Sequence, residues 1–223
     1  MGFNDDQQPR QSSALPISPT RVFPTTTCAI SNCMTIDLDT TTTILPHFPH
    51  NPHYNPQMLS RVMEKSLKMF FSSPHFAVVG ASSDPTKFGH KVFVWYLTHS
   101  LPVTPINPRS PTVSIRSKTY DTLASPSLLP NPSQTSLSII TPPKATLRVL
   151  KEAREVGVPA VWLQPGTYDG EVMEFARTWE EEDGAVIIGG MEGGTGGDEG
   201  WCVLVDGEVG LQEAGRKWER VRL

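Results

Sequence analysis

Over most of the chain, short β-branched apolar runs alternate with longer stretches in which apolar residues recur every three or four positions. The clearest run, Phe76 to Val79, is apolar throughout, as a strand in a parallel sheet covered on both faces must be. It enters Gly80 and a polar loop, then a segment from about Phe88 to Thr98 with Val92, Phe93, Trp95, Tyr96 and Leu97 on its buried side. Strand, glycine-led turn and helix start together predict the first βα unit of a doubly wound fold. Ahead of it, Met58, Val62, Leu67 and Met69-Phe70-Phe71 are spaced for a short helix that Ser72-Ser73-Pro74 ends.

Further strands are predicted at Val103 to Ile106, Leu137 to Ile140, Pro159 to Leu163 and Ala185 to Ile188. Helices fall between them at Lys144 to Val156, stopped by Gly157, and at Asp169 to Glu182. Residues 110–132 are broken by prolines and read as loop, with a short helix placed around Asp121 to Leu129. Trp201 to Val205 reads as another strand, Asp206-Gly207 as a turn, and Val209 to Trp218 as a closing helix. Strands and helices alternating at this spacing imply right-handed crossovers. The expected fold is α/β: a Rossmann-like doubly wound parallel sheet of about five strands.

Residues 1–60 are of a different composition, Gln/Ser/Pro-rich and then Thr-rich, with prolines at Pro46, Pro49, Pro52 and Pro56. They sustain no period, so a disordered tail over 1–60 is expected ahead of one folded domain over 61–223. His47, His50 and His53 recur every third residue there. Prolines separate the imidazoles and no Cys or carboxylate completes a shell, so no metal site is expected.

Composition narrows the function. Asp and Glu number 23 against 19 Lys and Arg, a net charge of −4, which gives no sign of a nucleic-acid partner. No window of about eighteen apolar residues predicts a membrane span. The three cysteines, Cys28, Cys33 and Cys202, form no C-x-x-C pair. They indicate neither a disulfide framework nor a zinc site, and a reduced, cytoplasmic setting fits best. Asp5, Asp6, Asp37 and Asp39 weigh against a mitochondrial presequence.

Ligands of doubly wound sheets lie outside the carboxyl ends of the strands. Those ends read Gly80-Ala81-Ser82-Ser83, then Asn107-Pro108-Arg109, Thr141-Pro142-Pro143 and Gln164-Pro165-Gly166. Amides, hydroxyls and a cation suit a phosphate-bearing ligand, but no acid–base set stands there, and no catalytic residue is assigned. A dinucleotide fingerprint fails, because no G-x-G-x-x-G follows Gly80 and no carboxylate ends the second strand. Arg109 stands there instead, suited to a ribose phosphate of either the phosphorylated nicotinamide cofactor or coenzyme A, or else a solvated loop cation. Lys87, in the loop before the helix, is a second phosphate candidate with the same alternative. Cys202 reads as a buried small hydrophobe and His90 as a surface residue. Glu180-Glu181-Glu182-Asp183 reads as a solvated helix end.

These four signatures, with the preceding Ala77-Val78-Val79 and Trp162-Leu163, resemble the stand-alone CoA-binding-domain proteins, which are similar to the amino-terminal domain of the succinyl-CoA ligase α subunit. The likeness runs from about Ser66 onward. It implies a Rossmann-like domain binding CoA or acyl-CoA across the strand tips. By that resemblance Gly80, Ala81, Ser82 and Ser83 meet the nucleotide's phosphates or ribose, and Asn107, Pro108 and Arg109 flank the adenosine. Thr141, Pro142, Pro143, Gln164, Pro165 and Gly166 line the pantetheine path. The ligase domain that carries the phosphohistidine has no counterpart, so ligase chemistry is not implied, and the stretch Gly189 to Gly200 looks inserted. Beside a CoA-binding module, two other readings stand: an NADP-linked oxidoreductase, and a scaffold acting through a protein partner.

Overall fold

The computed structural model describes residues 61–190 and 200–223. The expected tail with its three histidines, and positions 191–199 of the glycine-rich stretch, lie outside the described residues.

The first apolar run forms β1 (His75–Val79), preceded by α1 (Arg61–Ser72) and followed by α2 (Phe88–Thr98). Then come β2 (Val103–Ile106), β3 (Thr112–Ile115), β4 (Lys118–Asp121), β5 (Thr135–Ile139), α3 (Pro143–Glu155), β6 (Ala160–Leu163), α4 (Gly170–Asp183), β7 (Val186–Ile188) and α5 (Val203–Glu213). Five strands make one sheet in the order β2-β1-β5-β6-β7, every pair parallel. From β1 the chain moves outward to β2, then returns to β5 and continues to the other side. The strand order therefore reverses between β1 and β5, which is where a doubly wound sheet opens a crevice.

Each central strand contributes alternate residues to two cores, as the period of a pleated strand dictates. Phe76, Val78, Ala160, Trp162, Val186 and Ile188 pack with α1, α2 and α5 on one face. Ala77, Val79, Leu137, Ile139, Val161 and Leu163 pack with α3 and α4 on the other. Ser136 and Ser138 of β5 are fully buried on the first face. Buried hydroxyls need partners: Ser136 Oγ lies 2.9 Å from the Phe70 carbonyl oxygen and 2.7 Å from Ser73 Oγ, and Ser138 Oγ lies 2.7 Å from the Tyr96 hydroxyl.

Expectations for two stretches are corrected. Residues 110–132 are not mostly loop: β3 and β4 form an antiparallel hairpin, Val113 opposite Tyr120, with Arg116 at φ 53 in its turn. No α-helix follows at Asp121 to Leu129, where the chain makes a 3-10 turn at Pro126–Leu128. Trp201 to Val205 is not a strand either. Helix α5 begins at Val203 and runs through Asp206-Gly207 with no turn there. The cause is packing. A Cβ at Gly207 would lie 2.4 Å from Trp95 Cζ2, and one at Gly210 2.4 Å from Phe71 Cε2. The two glycines let α5 sit closely on α1 and α2, and that contact overrides local propensity. No described helix is long and apolar enough to cross a membrane.

Candidate functional site

Backbone hydrogen bonds draw the four strand ends into one row. The Gly80 N–H donates to Ile106 O at 2.9 Å, the Ile140 N–H to Val79 O at 2.9 Å, and the Gln164 N–H to Ile139 O at 3.2 Å. The four signatures thus stand side by side along the carboxyl edge. Gly80 occupies the reversal point with φ 96, and a Cβ there would meet Ile140 O at 3.3 Å. Only glycine tolerates that φ without strain.

Helix α2 starts directly beneath this loop. Its first residues are Phe88 and Gly89, and a Cβ on Gly89 would lie 2.0 Å from Gly80 O. Lys87 occupies the N-cap and makes no side-chain cap bond, so the N-cap side chain does not cover the positive end of α2. Bare amides at a helix start, next to a glycine, are the geometry that holds a phosphate.

The polar side chains of the rim mostly hold the loops. Asn107 Nδ2 donates to Ala81 O at 2.9 Å while its Oδ1 accepts the Arg109 N–H at 2.9 Å. Ser82 Oγ accepts from Asp84 N at 3.1 Å, and Ser83 Oγ accepts from Ser114 N at 2.9 Å, fastening the loop to the β3–β4 hairpin. His90 is half-buried and fixes the loop too, its Nδ1 3.0 Å from Ser82 O. Because that oxygen only accepts, Nδ1 carries the proton. Asp84 is pinned by Thr86: the Thr86 hydroxyl at 2.6 Å and its N–H at 3.0 Å hold the carboxyl below the usual carboxylate range.

Lys87 and Arg109 are the two cations expected at the rim. Lys87 Nζ stands 3.9 Å from Asp84 Oδ2, and both side chains are well exposed. Arg109 is exposed, and its guanidinium makes no ion pair among the described residues. On the β5 tip, Thr146 Oγ1 donates to Thr141 O at 2.8 Å, which leaves the Thr141 hydroxyl to donate to Thr146 Oγ1 at 2.9 Å. Pro142 and Pro143 start α3, whose first turn needs no N–H from them.

Gln164 differs from its neighbours. It is fully buried, its Oε1 accepts the Val203 N–H at 3.0 Å, and so it caps the start of α5. Its Nε2 is buried and has no hydrogen-bond partner among the described residues. Pro165 is half-buried and Gly166 exposed with φ 83. Cys202, at the N-cap of α5, is buried, its N–H donating to Asp206 Oδ2 at 2.8 Å. The acidic end of α4 is more than a solvated face, because Arg154 forks to Glu182 and Asp183 at 2.6 Å each.

The residues that sequence reasoning missed are those of the hairpin, above all Ser114. The alternation Thr112-Val113-Ser114-Ile115 was the available signal. An open depression of about 660 Å³, lined by Met69, Arg154, Val158, Trp179 and Ala185 among others, lies at the amino ends of β6 and β7. It is the wrong edge for a doubly wound sheet, and its guanidinium is already paired. Among the described residues no group of three or more His, Cys, Asp or Glu is placed to hold a metal.

Comparison with known proteins bears on this edge. Residues 74–190 match the family model described as CoA binding domain, a span that takes in all four strand tips. A conserved hypothetical protein from Pyrococcus furiosus is 30% identical over 52% of this chain and 93% of its own, with TM-score 0.45. A hypothetical protein from Pyrococcus horikoshii is 23% identical over 66% of this chain and 92% of its own, with TM-score 0.53, a likeness of fold. A protein from Thermus thermophilus is 27% identical over 56% of this chain and 88% of its own, with TM-score 0.46. No curated protein matches the chain.

Proposed function

The chain belongs to the CoA binding domain family, and we propose that it binds coenzyme A or an acyl-CoA across the four strand tips without turning it over. The observation that carries this reading is the reversal point itself. Gly80 lacks a side chain where the chain turns, the N-cap of α2 makes no side-chain cap bond beneath it, and Arg109 stands on the neighbouring tip with no ion pair among the described residues. These features suit a phosphorylated carrier. Lys87 adds a second cation beside the loop. Ser82, Ser83 and Asn107 support the ligand at one remove, by fixing the loops whose amides face it. Thr141, Pro142 and Pro143 form the wall across the crevice. The orphaned Nε2 of Gln164 is a buried donor in want of an acceptor, as the amide-bearing pantetheine arm has to offer. Among the described rim residues the features named are all suited to holding a ligand, and binding is what we propose.

The test is a thermal melt with and without ligand. At CoA about a hundredfold above its Kd, stability should rise by about 2.7 kcal/mol, or about 5–10 °C for a domain of this size. Arg109→Ala should weaken CoA about tenfold or more, the worth of a charge-assisted hydrogen bond, while leaving the ligand-free melt unchanged. The exposed guanidinium also suits a 2′-phosphate, so NADPH fluorescence is titrated in parallel. A shift with NADPH and none with millimolar CoA reverses the assignment in favour of the oxidoreductase.

A further inference from the structure

His99 directly follows α2 and is 2 % exposed. Its ring is stacked on Trp95 with centroids 4.1 Å apart, and Trp218 covers it from another side at 4.5 Å. Nδ1 lies 2.7 Å from the Trp95 carbonyl oxygen, and Nε2 lies 3.0 Å from Glu208 Oε1. Both of these partners accept. A neutral imidazole has one N–H to give, so only the imidazolium satisfies both contacts.

The surroundings agree with a cation. The His99 hydrogen bond holds the Glu208 carboxyl below the usual carboxylate range against the effect of burial, helped by the charges of His99 and Arg220. Glu208 is therefore an anion, and a buried cation needs such a partner. The two indole rings add favourable faces. The charged groups in contact are Glu208 from α5 and, behind it, Arg220 at 2.9 Å.

The cluster joins α2 to a stretch with no regular secondary structure, residues 216–223. That stretch supplies Trp218 and Arg220, donates the Val221 N–H to Thr98 O at 2.8 Å, and accepts Ser100 Oγ at Glu219 O at 2.8 Å. Its far residue, Leu223, accepts Arg116 Nη1 at 2.8 Å, from the turn of the hairpin whose Ser114 holds Ser83. We propose that His99 is a proton-operated clasp that fastens residues 216–223 across α2 and the hairpin. Protonated, the ring is bonded on both nitrogens and the segment lies closed. Deprotonated, it has one N–H for two acceptors, the Glu208 bond is lost, and the segment opens more often. Closure is favoured by the protonated form, and therefore by low pH.

Amide hydrogen exchange on the full chain without ligand tests this, whatever the chain binds. Rates are corrected for intrinsic exchange and compared at about pH 5.5 and about pH 9. Opening of residues 216–223 should be about tenfold more frequent at the higher pH, the worth of one charge-assisted hydrogen bond, with amides of β1, β5 and β6 unchanged. His99→Gln should abolish the difference between the two conditions. Equal protection of 216–223 at both values in the unsubstituted chain overturns the clasp, and so does a pH difference that survives in His99→Gln.

Discussion

Gly89→Ala should destabilise the domain by about 3 kcal/mol, lowering its melting temperature by about 6–12 °C. The expectation runs against helix propensity, by which alanine exceeds glycine by about 1 kcal/mol in a helix interior. Sterics decide the sign. The added methyl would sit 2.0 Å from Gly80 O and 3.0 Å from Gly80 C. Those atoms are backbone, held by the Gly80 N–H bond to Ile106 O at 2.9 Å, and cannot swing aside as a side-chain end would. Either α2 withdraws from the sheet edge or the loop leaves the reversal point. In both cases the bare helix end no longer faces the crevice, so CoA affinity should fall by more than stability alone requires. Gly170, the first residue of α4, is the control: nothing lies within 4 Å of a Cβ there, and Gly170→Ala should leave the melt unchanged or raise it slightly. A Gly89→Ala protein that melts within about 2 °C of its parent would refute the close approach on which the site's geometry depends.

The contrast between Gly89 and Gly170 also shows what one sequence makes legible. The parallel core was readable because its strands are apolar runs that stop at glycine or proline: β2 closes at Asn107-Pro108 and β6 at Gln164-Pro165. From those stops the order of tips along the carboxyl edge follows, since parallel strands all end on the same side. The hairpin escaped because its turn is Arg116-Ser117 in place of an asparagine–glycine pair, and because the prolines on either side suggested loop. Helix α5 escaped for a different reason. Trp201 to Val205 is apolar with two valines, and the fit of Gly207 and Gly210 against Trp95 and Phe71 favours a helix from Val203 onward. That fit joins residues more than a hundred positions apart, beyond the reach of any local pattern. At the rim, residue types were legible and their employment was not. Gln164 is expected on a ligand path; its oxygen caps α5, and its nitrogen has no partner among the described residues. Ser83 and Asn107 likewise hold loops, through partners that appear only once the hairpin and β1 are in place.

Trp162→Ala should have the largest effect of any single truncation in the sheet, about 3–5 kcal/mol, or about 6–20 °C in melting temperature. The indole is fully buried in β6 and meets Phe70 edge-on with centroids 5.4 Å apart and Phe71 at 5.9 Å. Its Nε1–H donates to Trp201 O at 3.0 Å. Two residues on, just past the end of that strand, Gln164 takes the Val203 N–H. Both bonds land on the three residues at the start of α5, so β6 sets where that helix begins. Truncation removes the ring that α1 packs on and leaves the Trp201 carbonyl without its donor, and the two losses share one cavity, so they will not simply add. Trp162→Phe separates them. It keeps most of the ring and drops the hydrogen bond, for a smaller loss of about 1–2 kcal/mol. If β6 positions α5 as described, hydrogen exchange over residues 200–213 should accelerate in Trp162→Phe before the sheet amides do. Acceleration spread evenly over the domain would mean that the indole acts through volume alone, and that the start of α5 is held by Gln164.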